Sequence, residues 1–168
     1  MKAIIIAGMF LVLSSTALAQ RPVHSCAGDL SVEGNRNKLL ILREDSRKIA
    51  TAKSKHQLDG GLFNLDNSLL VVYGLPNQVD RIHPQTTRLT VFSIEKGKPR
   101  MRRIFGETFG SGILEIGFTQ DNKSIYVSTR LGHGLIDIRN KDVAWFSLSE
   151  ELDVKLQECP PDNATKAF

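Results

Sequence analysis

Short apolar segments separated by turn-forming residues constrain this chain more than any other feature of its sequence. Residues 88–94 follow a period of two, which is typical of a half-buried strand. Residues 69–73 and 124–128 are short runs rich in β-branched and aromatic side chains, with Asp and Asn just before them. Segments of this kind at short spacing indicate an all-β fold built as an antiparallel meander.

An internal repeat supports this interpretation. Residues 63–72 align with residues 118–127, and each copy has a phenylalanine, an Asp-Asn pair and then an apolar strand. Asp and Asn side chains hydrogen-bond their own backbone in tight turns, and they tolerate left-handed conformations. The second copy continues into residues 132–138, and together they resemble one blade of a β-propeller.

The length of the chain limits what such a repeat can build. A closed propeller needs at least four blades of roughly 40 residues each. The 168 residues of this chain hold between two and three such units. We therefore expect an antiparallel meander of propeller-like or sandwich type rather than a closed ring.

The chain contains two cysteines, Cys26 and Cys159, which lie near its two ends. An even pair in an oxidising compartment predicts a disulfide, and this bridge would enclose most of the chain. The alternative is a pair of free, buried thiols.

The N-terminus has the pattern of a secretory signal. Lys2 precedes the apolar residues 3–13, and Ala17-Leu18-Ala19 forms a small-x-small cleavage site before Gln20. The apolar stretch is too short for a bilayer core, which needs roughly 20 residues, and no second stretch matches it, so we expect no stable membrane insertion. A buried N-terminal helix is the alternative. The residue immediately after the cleavage site is Gln20 and not a cysteine, which argues against a lipid anchor.

These observations predict a signal peptide over residues 1–19, a single disulfide-closed β domain over 20–160 and a flexible tail over 161–168. The protein is then periplasmic, with secretion as the alternative. Leu152, Leu156 and Cys159 have helical spacing, so we predict one short C-terminal helix there. The alternation of Leu152, Val154 and Leu156 fits a strand equally well.

The search for catalytic motifs is negative. The sequence has no nucleophile elbow, no phosphate-binding glycine loop and no His-Glu-x-x-His zinc motif. The four histidines are scattered along the chain, at His24, His56, His83 and His133. We therefore predict no enzyme, no catalytic residue, no metal and no cofactor. The mild excess of 22 basic over 18 acidic residues does not point to nucleic acid.

Two segments are candidates for binding a protein partner. The connection over residues 75–87 is long for a loop between strands, and we assign recognition to its polar residues. These residues are Gln78, Asp80, Arg81 and His83. Phe109, the second aromatic in a glycine-flanked segment, is a candidate interface anchor, whereas Phe105 is assigned to the core.

The third candidate is a basic cluster formed by Lys96, Lys98, Arg100, Arg102 and Arg103. Strand alternation would place Arg100 and Arg102 on one face, with Met101 and Arg103 on the other. Such a patch would guide an acidic partner surface to its site. A solvated edge strand, in which charge deters unwanted pairing, is the alternative.

The combination of an export signal, no lipid-anchor cysteine, small size and a repeat-like β body resembles small periplasmic immunity proteins. These proteins neutralise antibacterial effectors, including type VI secretion effectors that attack membrane phospholipids. The resemblance implies a toxic effector enzyme as partner and inhibition by covering its active site, and it assigns no site residues. The alternatives are an envelope scaffold or ligand-binding protein with propeller-like repeats, and a minor secreted hydrolase.

Overall fold

The computed structural model describes residues 21–35, 38–78, 82, 86–95, 97 and 100–161. Within these ranges the strands are β1 (Val23–His24), β2 (Leu30–Gly34), β3 (Leu39–Glu44), β4 (Arg47–Lys53), β5 (Gly60–Phe63), β6 (Leu69–Gly74), β7 (Thr87–Ile94), β8 (Met101–Phe109), β9 (Ile113–Phe118), β10 (Ser124–Thr129), β11 (Gly132–Asp137) and β12 (Asp142–Phe146). No helix in the described ranges is long and apolar enough to cross a membrane. The predicted signal peptide and residues 162–168 of the predicted tail lie outside the described residues.

The strands form three four-stranded antiparallel sheets in chain order: sheet 1 (β1–β4), sheet 2 (β5–β8) and sheet 3 (β9–β12). In each sheet every strand pairs with the strand that follows it in the chain. The predicted all-β meander is therefore confirmed. The described chain contains three blade-like units, each of which is one complete meander.

The two predicted copies of the repeat form the same turn in sheets 2 and 3. Asn67 and Asn122 both have a φ of 59°, in the left-handed region. Three residues before each asparagine, a side-chain oxygen accepts a hydrogen bond from the first N–H of the next strand. Asn64 Oδ1 accepts from Leu69 at 2.8 Å, and Thr119 Oγ1 accepts from Ser124 at 3.0 Å. Short polar side chains thus fix both turns, as the sequence predicts.

Sheet 1 contains a third copy of this turn that the sequence comparison missed. Gly28 holds the left-handed position with a φ of 76°. Ser25 Oγ accepts a hydrogen bond from the N–H of Leu30, which opens β2, at 3.0 Å. Because Ala27 and Gly28 stand where the other copies have Asp and Asn, the geometry is repeated without the sequence pattern.

Sheet 2 lies between the other two sheets and is buried on both faces. Along β6, Leu70 and Val72 belong to the apolar cluster shared with sheet 1, whereas Val71 belongs to the cluster shared with sheet 3. All three side chains are fully buried. Because successive strand residues point to opposite faces, this run of consecutive apolar residues is what a strand between two layers requires.

The outer face of sheet 1 carries an ion pair. Val32 and Leu42 face the core, so their neighbours Glu33 and Arg43 point the other way. Arg43 Nη2 lies 2.6 Å from Glu33 Oε1, and both side chains are about one-third exposed, at 34% and 38%. This face therefore stays in contact with solvent.

The outer face of sheet 3 is covered by the C-terminal strap, which we define as residues 150–159. Gly117 on β9 lies directly under Leu156, since a Cβ at Gly117 would be 2.7 Å from Leu156 Cδ1. The backbone of the strap bonds to sheet 3 on both sides of this contact. The N–H of Gln120 donates to Lys155 O at 3.0 Å, and the N–H of Gln157 donates to Phe118 O at 2.8 Å.

The prediction of a C-terminal helix over the strap is wrong, and the strap is extended. Leu152, Val154 and Leu156 are half-buried, and the residues between them are exposed. An extended chain rises about 3.3 Å per residue against about 1.5 Å for a helix, so it crosses the sheet and still reaches sheet 1. The alternative period-two pattern is the one that the fold uses.

The predicted disulfide is confirmed. Cys26 in the turn between β1 and β2 is bonded to Cys159 at the end of the strap, across 133 residues of sequence. The adjacent Gln157 side chain joins the turns of sheets 2 and 3. Its Nε2 donates to Asn122 Oδ1 at 2.8 Å, and its Oε1 accepts from the N–H of Leu65 at 3.0 Å. The strap therefore touches all three sheets.

A side chain at Gly117 should loosen the strap. Gly117→Val would force Leu156 away from sheet 3, and we expect the free energy of unfolding to fall by about 1–3 kcal/mol, the usual cost of overpacking. Urea titration of the purified protein measures this. Gly112→Val is the matched control, since a Cβ there meets nothing within 4 Å. Equal stabilities of the two variants would contradict the strap contact.

Candidate functional site

Most of the predicted recognition loop lies outside the described residues. Asp80, Arg81 and His83 are among those not described, and Gln78 is exposed. The assignment of recognition to residues 75–87 therefore stays a prediction.

The basic cluster lies at the start of β8, one of the two edge strands of sheet 2. Arg100, Arg102 and Arg103 are exposed, whereas Lys96 and Lys98 are outside the described residues. Arg102 pairs with Ser93, and Arg103 pairs with Phe92. Ser93 and Phe92 are neighbours in β7, so they point to opposite faces of the sheet. The register thus separates Arg102 from Arg103 as alternation predicts.

Phe109, the predicted interface anchor, is buried, with only 1% of its surface exposed. Its ring makes an edge-to-face contact with Trp145 on β12, with centroids 5.4 Å apart and planes at 70°. Trp145 is 52% exposed. The exposed aromatic at this place is therefore Trp145, which Phe109 supports from beneath, and Phe105 is buried as predicted.

Trp145 forms one side of an apolar groove, of about 430 Å³, where the end of β8 meets sheet 3. The groove is lined by Phe109, Ser111, Thr129, Leu131, Trp145 and Phe146, among others. Leu131 is 73% exposed beside it. We call this feature the rim groove. Exposed Trp and Leu side chains next to a concave apolar surface are typical of an interface.

Ser111 gives the rim groove a polar group without a partner. The residue is 7% exposed, and its Oγ forms no hydrogen bond. The hydroxyl of Thr129, by contrast, donates to Gly132 O at 3.0 Å and accepts from the N–H of Leu131 at 3.1 Å. A buried hydroxyl without a partner is unfavourable, so an occupant that bonds Ser111 would gain about 0.5–1.5 kcal/mol, the usual net worth of a hydrogen bond.

The shape of the rim groove depends on Gly132. Its φ is 149°, and a Cβ there would lie 2.4 Å from the carbonyl oxygen of Phe146. Only glycine lets the turn between β10 and β11 approach the end of β12 so closely. The sequence predicts an apolar strand around Trp145. It does not predict that the Trp145 side chain is exposed, because that depends on the order of the strands in the sheet.

A second feature is the polar end of sheet 2, where His56 is buried. Its Nδ1 lies 2.6 Å from the carbonyl oxygen of Gln57, and its Nε2 lies 3.0 Å from Thr90 Oγ1. A carbonyl only accepts, so Nδ1 carries the proton. Burial lowers the pKa of His56, the charges of Arg88 and Arg103 lower it further, and the Gln57 carbonyl partly opposes this. The neutral ring then accepts a hydrogen bond from Thr90.

A third feature is a cleft of about 730 Å³ between the edge strands β1 and β5 and the end of the strap. Arg21, His24, Asp59, Tyr73 and Glu158 line it. Burial raises the pKa of Tyr73, and the charge of Asp59 raises it further. This cleft has the mixed polar lining of a small-ligand site.

A smaller cleft, of about 230 Å³, lies between the strap and sheet 3. Tyr126 and His133 line it, and their rings stack with the Tyr126 hydroxyl 2.7 Å from His133 Nδ1. Glu115 and Glu150 lie at the same cleft. A carboxylate near a His–Tyr pair has the groups of general acid–base chemistry. No group of three or more His, Cys, Asp or Glu side chains in the described ranges is arranged to hold a metal ion.

Comparison with known proteins shows the fold alone. No protein-family model and no curated protein matches the sequence. The β-propeller domain of Cps50 (Swd1) from Myceliophteria thermophila matches with 12% identity and a TM-score of 0.56, over 77% of this chain and 41% of that chain. A putative 6-phosphogluconolactonase from Bacteroides uniformis matches with 10% identity and a TM-score of 0.53, over 82% and 42%. This chain spans about two-fifths of each, so the three sheets are three propeller-like blades.

The lowered pKa of His56 makes stability depend on pH. The folded state binds its proton less tightly than the unfolded state, whose pKa is about 6.5. The stabilisation is complete above that pH and is lost as the pH falls towards the folded pKa. We expect the free energy of unfolding to decline between pH 7.5 and 5, and His56→Gln to remove part of this decline. Urea titrations at a series of pH values measure it, and an unchanged decline in the variant would contradict the assignment.

Proposed function

We propose that this chain is a non-catalytic, exported protein-binding module that docks through β8 of sheet 2 and β12 of sheet 3. One observation carries the proposal: Trp145 is half exposed on an outer strand, beside a groove that contains an unpartnered hydroxyl. Trp is among the residues that most often dominate binding energy at interfaces. The groove would accept an apolar side chain of the partner, with a polar atom placed to bond Ser111.

The charge of β8 supports an acidic partner surface. β8 has nine residues, from Met101 to Phe109, and spans roughly 27 Å. Exposed Arg100 and Arg102 lie at its start, and the rim groove lies at its end. A partner that inserts an apolar side chain at one end would place its surface against the arginines at the other. Such charges raise the association rate more than the affinity.

The finer proposal is that the partner is a toxic effector enzyme and that this chain is its immunity protein. Support comes from the export pattern of the sequence, the disulfide and the exposed rim surface. Binding at the mouth of an active site would exclude the substrate by steric hindrance, so no cofactor is needed. An effector that acts on phospholipids is one such enzyme.

Two other functions each have one observation in their favour. The cleft between β1 and β5 favours an envelope scaffold that holds a small ligand or peptide. The Tyr126–His133 pair beside Glu115 favours a minor hydrolase. We rank both below protein binding, because neither uses the exposed surface at Trp145.

The test is complex formation with the exported enzyme encoded next to this chain's gene. We expect Trp145→Asp to lose about 2 kcal/mol of binding free energy, roughly thirtyfold in Kd, and to lose protection of cells that express the enzyme. Leu65→Asp is the matched control, because Leu65 is 47% exposed in the turn between β5 and β6, at the edge of sheet 2 away from β8. Calorimetry on the purified pair measures both.

Wild-type affinity in Trp145→Asp would contradict the proposed surface. Absence of any complex, together with co-purification with an envelope assembly, would favour the scaffold. Substrate turnover by the pure protein that His133→Gln abolishes would favour the hydrolase.

A further inference from the structure

The polar end of sheet 2 places two arginines on one face. Across the sheet, Arg88 on β7 lies between Gly74 on β6 and Thr108 on β8. Two residues further along β7, Thr90 lies opposite Gly106. Residues two apart in a strand share a face, so Arg88 and Thr90 point to the same side. This is the side on which His56 reaches Thr90.

A β-bulge brings Arg103 to that same face. The register of β7 and β8 shifts between Val91 and Phe92, so that Phe92 pairs with Arg103 while Thr90 pairs with Gly106. The bulge therefore puts Arg103 and Gly106, three residues apart, on one side of the strand. A Cβ at Gly106 would lie 2.5 Å from Arg103 Nη2 and 3.0 Å from its Nε. The guanidinium of Arg103 thus lies across the space that a side chain would fill.

Neither arginine is neutralised within the described part of the chain. The ion pairs found there involve other residues, Arg43 with Glu33 and Lys123 with Asp121. The Nε of Arg88 is buried and has no hydrogen-bond partner. A buried N–H of a charged group without an acceptor is costly, and two guanidinium groups near each other also repel.

The carboxylate of Asp59 bonds a backbone group and forms no ion pair with Arg88 or Arg103 in the described part of the chain. Its Oδ2 accepts from the N–H of Leu75 at 2.9 Å. The charge of Asp59 raises the pKa of His56, but it does so by less than Arg88 lowers it. The site therefore keeps a positive potential, which an added anion would reduce.

We infer that Arg88 and Arg103 form an oxyanion-binding site with Thr90 and His56 at its base. One oxygen of the anion accepts from Arg88 Nε, and another accepts from the Arg103 guanidinium. The guanidinium fork matches carboxylate and phosphate-like groups. The anion is either the side chain of an Asp or Glu on a partner protein or a free tetrahedral oxyanion. This site needs no partner for its test, so it stands independently of the proposed function.

The His56 ring can be used to detect an anion bound at this site. The charged groups that act on it are Arg88, Arg103 and Asp59. An anion between the arginines offsets their charge, so its binding should raise the pKa of His56. We would follow the His56 ring by NMR in the mature, oxidised protein, titrating sulfate or acetate against chloride at constant ionic strength. Sulfate represents a free tetrahedral oxyanion, and acetate represents an Asp or Glu side chain.

We expect saturable binding of at least one anion with a rise in the pKa of His56. Stronger binding of acetate would point to a partner's carboxylate, and stronger binding of sulfate to a free oxyanion. Arg88→Gln should weaken binding by roughly tenfold, the usual worth of a charge-assisted hydrogen bond. Arg102→Gln is the matched control, because Arg102 is exposed on the opposite face of β8.

Arg103→Gln gives a second variant in case Arg88→Gln does not fold, since the Arg103 side chain is exposed. It too should weaken binding relative to Arg102→Gln. The inference is overturned if neither anion moves the His56 resonances of the wild type. It is equally overturned if Arg103→Gln and Arg102→Gln bind the anion alike.

Discussion

The strap and its disulfide are the contact on which the rest of this structure depends. Three stacked sheets bury four of their six faces and leave two outer faces that must be either polar or covered. Sheet 1 solves this with the exposed Glu33–Arg43 pair, whereas sheet 3 is covered by the strap. In a closed propeller the neighbouring blade covers such a face. Here an extended segment takes that place, and Cys26–Cys159 ties it back to the first sheet.

This arrangement also determines which surfaces are free for binding. The strap occupies the outer face of sheet 3, and the stacked sheets bury their inner faces. The outer face of sheet 1 and the edge strands of the three sheets remain. Among the edge strands, β8 has the basic residues at one end and the rim groove at the other. Trp145 is exposed above the buried ring of Phe109, and Arg102 is exposed at the other end of β8.

Local signals in the sequence were sufficient for the strands, the Asp-Asn turns and the disulfide. Asn67 and Asn122 carry a turn preference that does not depend on the rest of the fold. The strap could not be predicted, because Leu152 and Leu156 fit a helical period as well as a period of two, and contact with Gly117 decides between them. Phe109 and Trp145 are both aromatic residues of predicted strands, and the packing of sheets 2 and 3 buries the first and leaves the second exposed.

The most direct test is the free energy of unfolding of Cys26→Ser, Cys159→Ser and the double variant, measured by urea titration under one set of conditions. If the bridge acts as the closure of the stack, each single variant loses the same amount. That amount is about 5 kcal/mol by chain entropy for a loop of 133 residues. The double variant should lose no more than either single one. Losses that differ between the single variants, or that add in the double variant, would contradict this account.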